Sequence, residues 1–429
     1  MTQILDNLAK ARREGVHRGI TSVCSAHPVV LRAALRHARQ HEVPVLIEAT
    51  CNQVNHRGGY TGMQPADFLS LVRRIAEDEA CPADQIVFGG DHLGPNPWRH
   101  LPAEAALAEA ERMVAAYAAA GFSKLHLDCS MGCEGEPVAL DDRTTAERAA
   151  RLANIADNAA LKAGHALPRF VIGTEVPPPG GADHVLDAVT PTAPSAVRET
   201  IAIHRDVFQT MGIADAFGRV VGVVVQPGVE FGNENVVFYN PREAADLSRV
   251  LTQEPGLVFE AHSTDYQGAA PLSALVSDGF SILKVGPELT FVLREALYGL
   301  DLIATDLVDG YGDRPLKRAM EAVMQASPDH WRRHYRGSGA ETAMLRHYSL
   351  SDRIRYYWSA PQAEDAVGQL TQALSGRRIP LPLLWQHMPG AVHFADTPID
   401  PEDILIWRVT RSLETYHAAT RPGTRPDKP

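Results

Sequence analysis

Apolar residues fall along this chain in eight short runs, separated by longer stretches in which they recur every three or four positions. The runs are Gly19–Ala26, Val43–Thr50, Gln85–His92, Lys124–Ser130, Phe170–Val176, Arg219–Gln226, Leu257–His262 and Ser281–Gly286. Short runs of this kind read as buried strands, and the periodic stretches between them as amphipathic helices. Helices are predicted at Val29–Gln40, Pro65–Glu79, Ala103–Ala120, Thr144–Ala163, Ala193–Met211, Pro241–Thr252, Pro271–Ser277 and Glu288–Asp301, with Met1–Gly15 helical ahead of the first strand. Such alternation predicts a parallel sheet with crossover helices. Each run also breaks into polar residues at its C-terminal end: His27; Glu48 with Asn52 and Gln53; Asp91 with His92; Asp128; Glu175; Gln226 with Glu230; His262 with Ser263 and Asp265; Lys284 with Glu288. A doubly wound sheet gathers its ligands at one switch point, whereas a barrel brings every strand end to one mouth. The fold class expected is therefore α/β, a (β/α)8 TIM barrel, and its polar mouth predicts an enzyme.

From about Asp313 the pattern changes. Residues 1–312 are expected to form the barrel and 313–420 a C-terminal helical extension packed on it, carrying His334, Tyr335, Tyr356, Tyr357 and Trp358, a Pro-rich stretch at Pro380–Pro389 and a last helix at Pro401–Ala419. The polar tail 421–429 is expected to be disordered. A length of 429 residues with 45% hydrophobic and 22% charged residues suits a barrel with an appendage. The net charge of -11 excludes a basic footprint for nucleic acid. With no apolar run near the roughly 20 residues of a membrane span and no signal-peptide core, the expected location is the cytoplasm. Five scattered cysteines predict no disulfide framework; Cys24, Cys51 and Cys129, near strand ends, read as packing residues.

His92 and His262, ending the third and seventh runs, can reach one point, and neutral imidazole suits a catalytic divalent metal. A third protein ligand is needed; Glu230, Gln226 and Glu175 are the candidates. Zinc is the metal expected, with manganese or magnesium as the other options. Asp91 is placed to move a proton on a substrate hydroxyl beside a polarised carbonyl, with Glu48, Asp128 and Glu175 as further acid–base or hydroxyl-binding groups. Asn52, Gln53, Ser263 and Asp265 join the substrate-binding set. A phosphate has two candidate seats. One is the helix start after Lys284–Val285–Gly286–Pro287. The other is Ser349–Leu350–Ser351–Asp352–Arg353–Ile354–Arg355, where Ser351 opens a helix and Arg353 and Arg355 follow.

Nine stretches carry a resemblance: SVCSAHP from Ser22, LIEATCNQVNHRGGYTG from Leu46, GGDHLGPN from Gly89, GFSKLHLDCS from Gly121, VIGTEVPPPGG from Val171, VVQPGVE from Val224, EAHSTDYQ from Glu260, LKVGPELTF from Leu283 and YSLSDRIRYYW from Tyr348. They resemble the tagatose-bisphosphate aldolase subunit family of the GatZ/KbaZ type along nearly the whole chain. A more distant likeness runs to the zinc-dependent class II ketose-bisphosphate aldolases. Their Asp-His after a strand looks like Asp91–His92, their later metal His like His262, and their Lys-Val-Asn turn like Lys284–Val285–Gly286. Where those aldolases carry another metal His after the sixth strand, this chain has Val225–Gln226–Pro227–Gly228. The resemblance implies either an enzyme that epimerises tagatose- and fructose-type ketohexoses at C4, in particular tagatose 6-phosphate, or a support subunit of a separate aldolase chain. The polar mouth favours the metal-dependent epimerase, working by retro-aldol cleavage of C3–C4. The partner expected is a small-molecule sugar phosphate, with a catalytic aldolase chain and homo-oligomer formation as further options.

Overall fold

Eight parallel strands pair in chain order and close on themselves: β1 (Ile20–Cys24), β2 (Val45–Thr50), β3 (Ile86–Leu93), β4 (Lys124–Leu127), β5 (Arg169–Ile172), β6 (Val220–Val224), β7 (Val258–Ala261) and β8 (Phe280–Val285). This is a computed structural model, and it describes residues 3–173 and 189–421 with the backbone of Gly423 and Thr424. Each strand lies within its predicted run or within a residue of it.

Alternation along the strands sorts the barrel interior into layers. Ile20, Leu46, Val87, Val171, Val258 and Ile282 form one buried apolar cluster with Leu5 and Leu8, so the N-terminal helix Gln3–Arg13 stoppers the end where the strands begin. Two residues further on, the same faces carry Ser22, Glu48, Gly89, Glu260 and Lys284, and hydrocarbon gives way to charge. A side chain at Gly89 would collide with the Glu48 carboxylate, which explains a glycine inside a strand.

The helices Pro28–His41, Pro65–Asp78, Ala103–Ala120, Asp142–Lys162, Pro194–Thr210 and Ala269–Ser277 follow their strands as predicted. The helix predicted over 241–252 is shorter, Ala245–Arg249 with a 3-10 turn at Val250–Thr252. The last helix, Pro401–Thr420, departs from expectation. It lies in the ring, on β1 and between Pro28–His41 and Ala269–Ser277. Gly19 N–H donates to Thr420 O at 2.9 Å and the Tyr416 hydroxyl to Thr264 O at 2.7 Å. The helix after β8, Pro287–Leu307, is buried on several faces and supports Pro315–Ala326 and Pro361–Leu374. Gly423–Thr424 pairs antiparallel with Val16–His17; of the tail predicted from residue 421, residues 422 and 425–429 lie outside the described residues. The five cysteines are free thiols. Among the described residues no helix is long and apolar enough to cross a membrane.

Candidate active site

At the C-terminal end of the barrel the strand tips deliver Glu48 from β2, Asp91 and His92 from β3, His126 and Asp128 from β4, Glu260 and His262 from β7 and Lys284 from β8. Asp91 and His92 are neighbours, which regular alternation would send to opposite faces. His92 takes a left-handed φ of 50° and the pairing with β4 slips between Gly90 and Leu93, so the strand turns and both side chains face the mouth.

The three imidazole centroids stand 4.9 to 5.3 Å apart. Their hydrogen bonds assign the tautomers. His92 Nδ1 donates to Asp128 Oδ2 at 2.8 Å, which turns Nε2 to the cluster, and against burial Asp91 and Asp128 hold this imidazole above the usual histidine range. His262 Nε2 donates to Glu260 Oε1 at 2.9 Å, leaving Nδ1 buried without a protein partner. His126 Nε2 donates to Gly173 O at 2.8 Å, so Nδ1 carries the lone pair; it accepts the His92 backbone N–H at 3.4 Å and stands 3.0 Å from Asp91 Oδ1. A lone pair facing a carboxylate is favourable only with positive charge on the ring or between the two. One donor atom each from Asp91, His92, His126 and His262 lie within 4.8 Å of one another. A ring N–H fixed by a carboxylate or carbonyl, with the opposite nitrogen left open, is how protein imidazoles hold a metal. These residues fit a divalent cation, by the orphaned His262 Nδ1 and by the tautomers.

Beneath them lies a set of buried ions. Lys284 Nζ contacts Asp91 and stands 2.7 Å from Glu48 Oε2. Lys124 Nζ, fully buried, is 2.6 Å from Glu48 Oε1 and 2.7 Å from Glu260 Oε2, close ion pairs outside hydrogen-bonding angles. On Asp91, Lys124, Glu260 and Lys284 burial opposes charge, and the partners outweigh it. Asp91 is held well below the usual carboxylate range by His92, Lys284 and His126, and Lys284 well above the usual lysine range by Asp91, Cys24, Glu48 and Glu260. Burial, with Lys284 nearby, pushes His262 down to about 3, so it is neutral. Four carboxylates, Glu48, Asp91, Asp128 and Glu260, face two ammonium groups, an excess of negative charge that a dication would balance.

Over this floor opens a cavity of about 930 Å³, within the range of small-molecule sites. Asn52, Gln53, Ser263, Arg353 and Arg355 are in its wall, so strand tips and the C-terminal segment face one space. Gln53 braces the loop after β2, its Oε1 accepting from Thr50 N–H at 2.9 Å. Tyr60 of that loop meets Tyr356 edge-on, with ring centroids 4.8 Å apart.

Several expectations are corrected. Gln226 Oε1 accepts the N–H groups of Gly228 and Val229 at 2.8 and 2.9 Å, and Glu230 accepts its neighbour Phe231 N–H; neither is in the cavity wall, and Glu230 is not in the cluster around His92 and His262. Glu175 lies outside the described residues. The helix start after β8 is not open to a phosphate, because Asp265 Oδ1 already accepts Gly286 N–H at 3.0 Å and Glu288 N–H at 2.8 Å. Lys284 points into the ion set, away from such a seat. Ser351 donates to Asn233 Oδ1 at 2.8 Å and stands behind the wall. Asp352, within the same stretch, is buried and accepts from Arg294 Nε at 3.1 Å and the Thr290 hydroxyl at 2.7 Å. His126, Lys124 and Glu260 were missed. Period-two alternation through Lys124, His126 and Asp128 was the signal for the first two, and Glu260 shares the face of His262 in the same way.

The chain is 58% identical over 423 residues to an Agrobacterium fabrum (strain C58 / ATCC 33970) protein named D-tagatose 6-phosphate 4-epimerase, covering 99% of this chain and 100% of that one. A crystal structure from Sinorhizobium meliloti 1021, described as a probable tagatose 6 phosphate kinase, superposes with a TM-score of 0.86 at 52% identity, covering 94% of this chain and 100% of that one. The family described as D-tagatose-1,6-bisphosphate aldolase subunit GatZ/KbaZ-like matches residues 5–421, and with the strand-tip cluster and both relatives in view the chain belongs to that family.

Proposed function

We propose that this protein is a D-tagatose 6-phosphate 4-epimerase that interconverts its substrate with fructose 6-phosphate. The observation that carries the reading is the pairing, in one cavity, of a cation-ready cluster at the strand tips with two arginines of the C-terminal segment. His92, His126 and His262 would hold a divalent metal, with zinc our first choice, which lends Lewis acidity to the ketose carbonyl. Asp91, ionised and in contact with the Lys284 ammonium, accepts the proton of the C4 hydroxyl. The C4 oxygen becomes an aldehyde as C3–C4 breaks, and the bonding pair passes to the C1–C3 fragment as an enediolate. Lys284 places positive charge beside that fragment. The departing aldehyde comprises C4 to C6 and carries the phosphate on C6. Arg353 and Arg355 grip that phosphate, so the aldehyde turns its other face by rotation about C4–C5 without leaving. Readdition forms C3–C4 with C4 inverted, and Asp91 returns its proton to the new C4 oxygen. Glu48, Asp128 and, by sequence, Glu175 are the remaining acid–base candidates; Asn52, Gln53 and Ser263 bind hydroxyls.

The family's description as an aldolase subunit supports a second reading, a chain that assists a separate aldolase. The relative named a kinase would require a phosphoryl donor. One experiment separates all three. The purified chain with zinc, manganese or magnesium, tagatose 6-phosphate and no nucleotide is followed by NMR of the sugar carbons. Fructose 6-phosphate with little free triose is expected. Inertness alone with stimulation of an added aldolase, or turnover only with ATP, would displace the epimerase reading.

A further inference from the structure

His27 ends the first apolar run and lines the cavity, yet it has no part in the cation cluster. It is the N-cap of the helix Pro28–His41, and its ring is pinned from one side. Nδ1 accepts the Val29 N–H at 3.3 Å, Ser25 Oγ accepts the His27 backbone N–H at 3.2 Å, and the His27 carbonyl accepts the Leu31 N–H at 3.0 Å. With Nδ1 the acceptor, the ring hydrogen is on Nε2. Among the described residues Nε2 has no hydrogen-bond partner, and protein does not seal it from water, so this N–H opens on the cavity. Burial pushes His27 down to about 4, and the positive helix end disfavours a second charge, so the imidazole stays neutral. It can donate one hydrogen bond, and at neutral pH it carries no proton to give away.

β1 lies between β8 and β2. The segment that carries Arg353 and Arg355 is tied down on both sides of β1. Asp352 binds Thr290 and Arg294 on the helix after β8, and Tyr356 packs on Tyr60 in the loop after β2. The two arginines are therefore held over the end of β1, where His27 stands, whereas the imidazoles of the cation cluster belong to β3, β4 and β7. We propose that His27 Nε2–H is a third donor to the phosphate of the ketose, beside Arg353 and Arg355, and so a determinant of the preference for phosphorylated sugar; the inference rests on the epimerase reading of the same cavity. Two arginines already match the charge of a phosphate dianion, so a neutral third donor adds direction to the grip without excess charge. The Val29 N–H polarises the ring through Nδ1, which strengthens the Nε2–H donor and relays the positive end of the helix to the anion.

The test compares the full native chain with His27→Asn, both with zinc present. Asparagine is a good N-cap, so its amide oxygen can still accept the Val29 N–H, but its side chain is too short to bring a donor to the place of Nε2. Calorimetric titration with glucitol 6-phosphate, which has no carbonyl and cannot react, reads the phosphate contact alone. His27→Asn should weaken that binding by about ten- to a hundredfold, the worth of a hydrogen bond to a charged group, with thermal unfolding unchanged. His27→Gln, whose longer side chain returns an N–H toward the cavity, should recover part of the loss. In turnover, His27→Asn should raise the KM for tagatose 6-phosphate more than it lowers kcat, and the loss in kcat/KM should be far smaller for free tagatose. Equal binding of the hexitol phosphate by native and His27→Asn chains, or an equal loss in kcat/KM on both sugars, overturns the proposal. Failure of the epimerase reading looks different: the native chain leaves tagatose 6-phosphate unconverted, while the hexitol phosphate still distinguishes it from His27→Asn.

Discussion

Lys124 sits at the lowest charged level of the barrel, reaches no cavity wall, and touches two carboxylates that are themselves fully buried. Lys124→Met keeps much of the stem and removes the charge. Glu48 then retains Lys284 at 2.7 Å, whereas Glu260 keeps His262 at 2.9 Å and a more distant Lys284 at 3.7 Å. Breaking a buried ion pair from one side typically costs about 3–5 kcal/mol, because the abandoned charge stays where water cannot reach it. That corresponds to roughly two to four powers of ten in the folding equilibrium constant. Urea unfolding of parent and variant, followed by fluorescence and circular dichroism together, gives the difference. Glu260→Gln added to Lys124→Met should recover a substantial part of it, since an amide can still accept from His262 while leaving no orphan charge. A Lys124→Met chain within about 1 kcal/mol of the parent, the median worth of an exposed pair, would refute the reasoning and mean that the carboxylates do not carry charge together.

Further outcomes follow from the mouth. Asp91→Asn keeps the shape and removes the base, so kcat should fall on the order of 10²–10⁴ with substrate binding retained, measured by single-turnover kinetics. Arg355→Ala should raise the KM for tagatose 6-phosphate far more than that for free tagatose, because only the first loses a phosphate contact; equal effects would move the phosphate elsewhere. Burial and Glu288 push Asp265 up to about 7, above its unfolded value, so the folded chain holds a proton that the unfolded chain has released. Its contribution to stability is thus full at low pH and declines as pH rises from about 4 to 7, by about 1.4 kcal/mol per unit where the difference is complete. Asp265→Asn keeps an acceptor for Gly286 and Glu288 and removes the titration; relative to the parent it should gain stability between pH 5 and pH 8 in denaturant melts.

The barrel was legible because its strands are buried on both faces and read as continuous apolar runs, and because polar residues accumulate where each run stops. Asp91, His92, His262 and Lys284 were found by that rule. What escaped it lies inside the runs. Lys124 and His126 open β4 as Lys-Leu-His-Leu, an alternation that a search for polar ends passes over, and Glu260 sits between two apolar neighbours. Gln226 and Glu230 were drawn in by the need for a third ligand, yet their oxygens close their own loop, a use that spacing along the chain does not reveal. The helix start after β8 had the composition of an anion seat, and Asp265, twenty-one positions earlier, fills it. Local sequence could place the donors there but not their acceptor.

The position of Pro401–Thr420 bears on how the protein is made. A ribosome that has released β8 has produced every strand of the barrel and still lacks the helix that covers β1 on the outside. Until more than a hundred further residues emerge, the flank between Pro28–His41 and Ala269–Ser277 stays open, with apolar strand surface exposed to whatever else the cell contains. Synthesis at roughly 5–20 residues per second makes that interval several seconds at least. The nascent barrel therefore waits on its own C-terminus. A chain stopped short of residue 401 would have all its mouth-forming strand tips and no stable wall behind them.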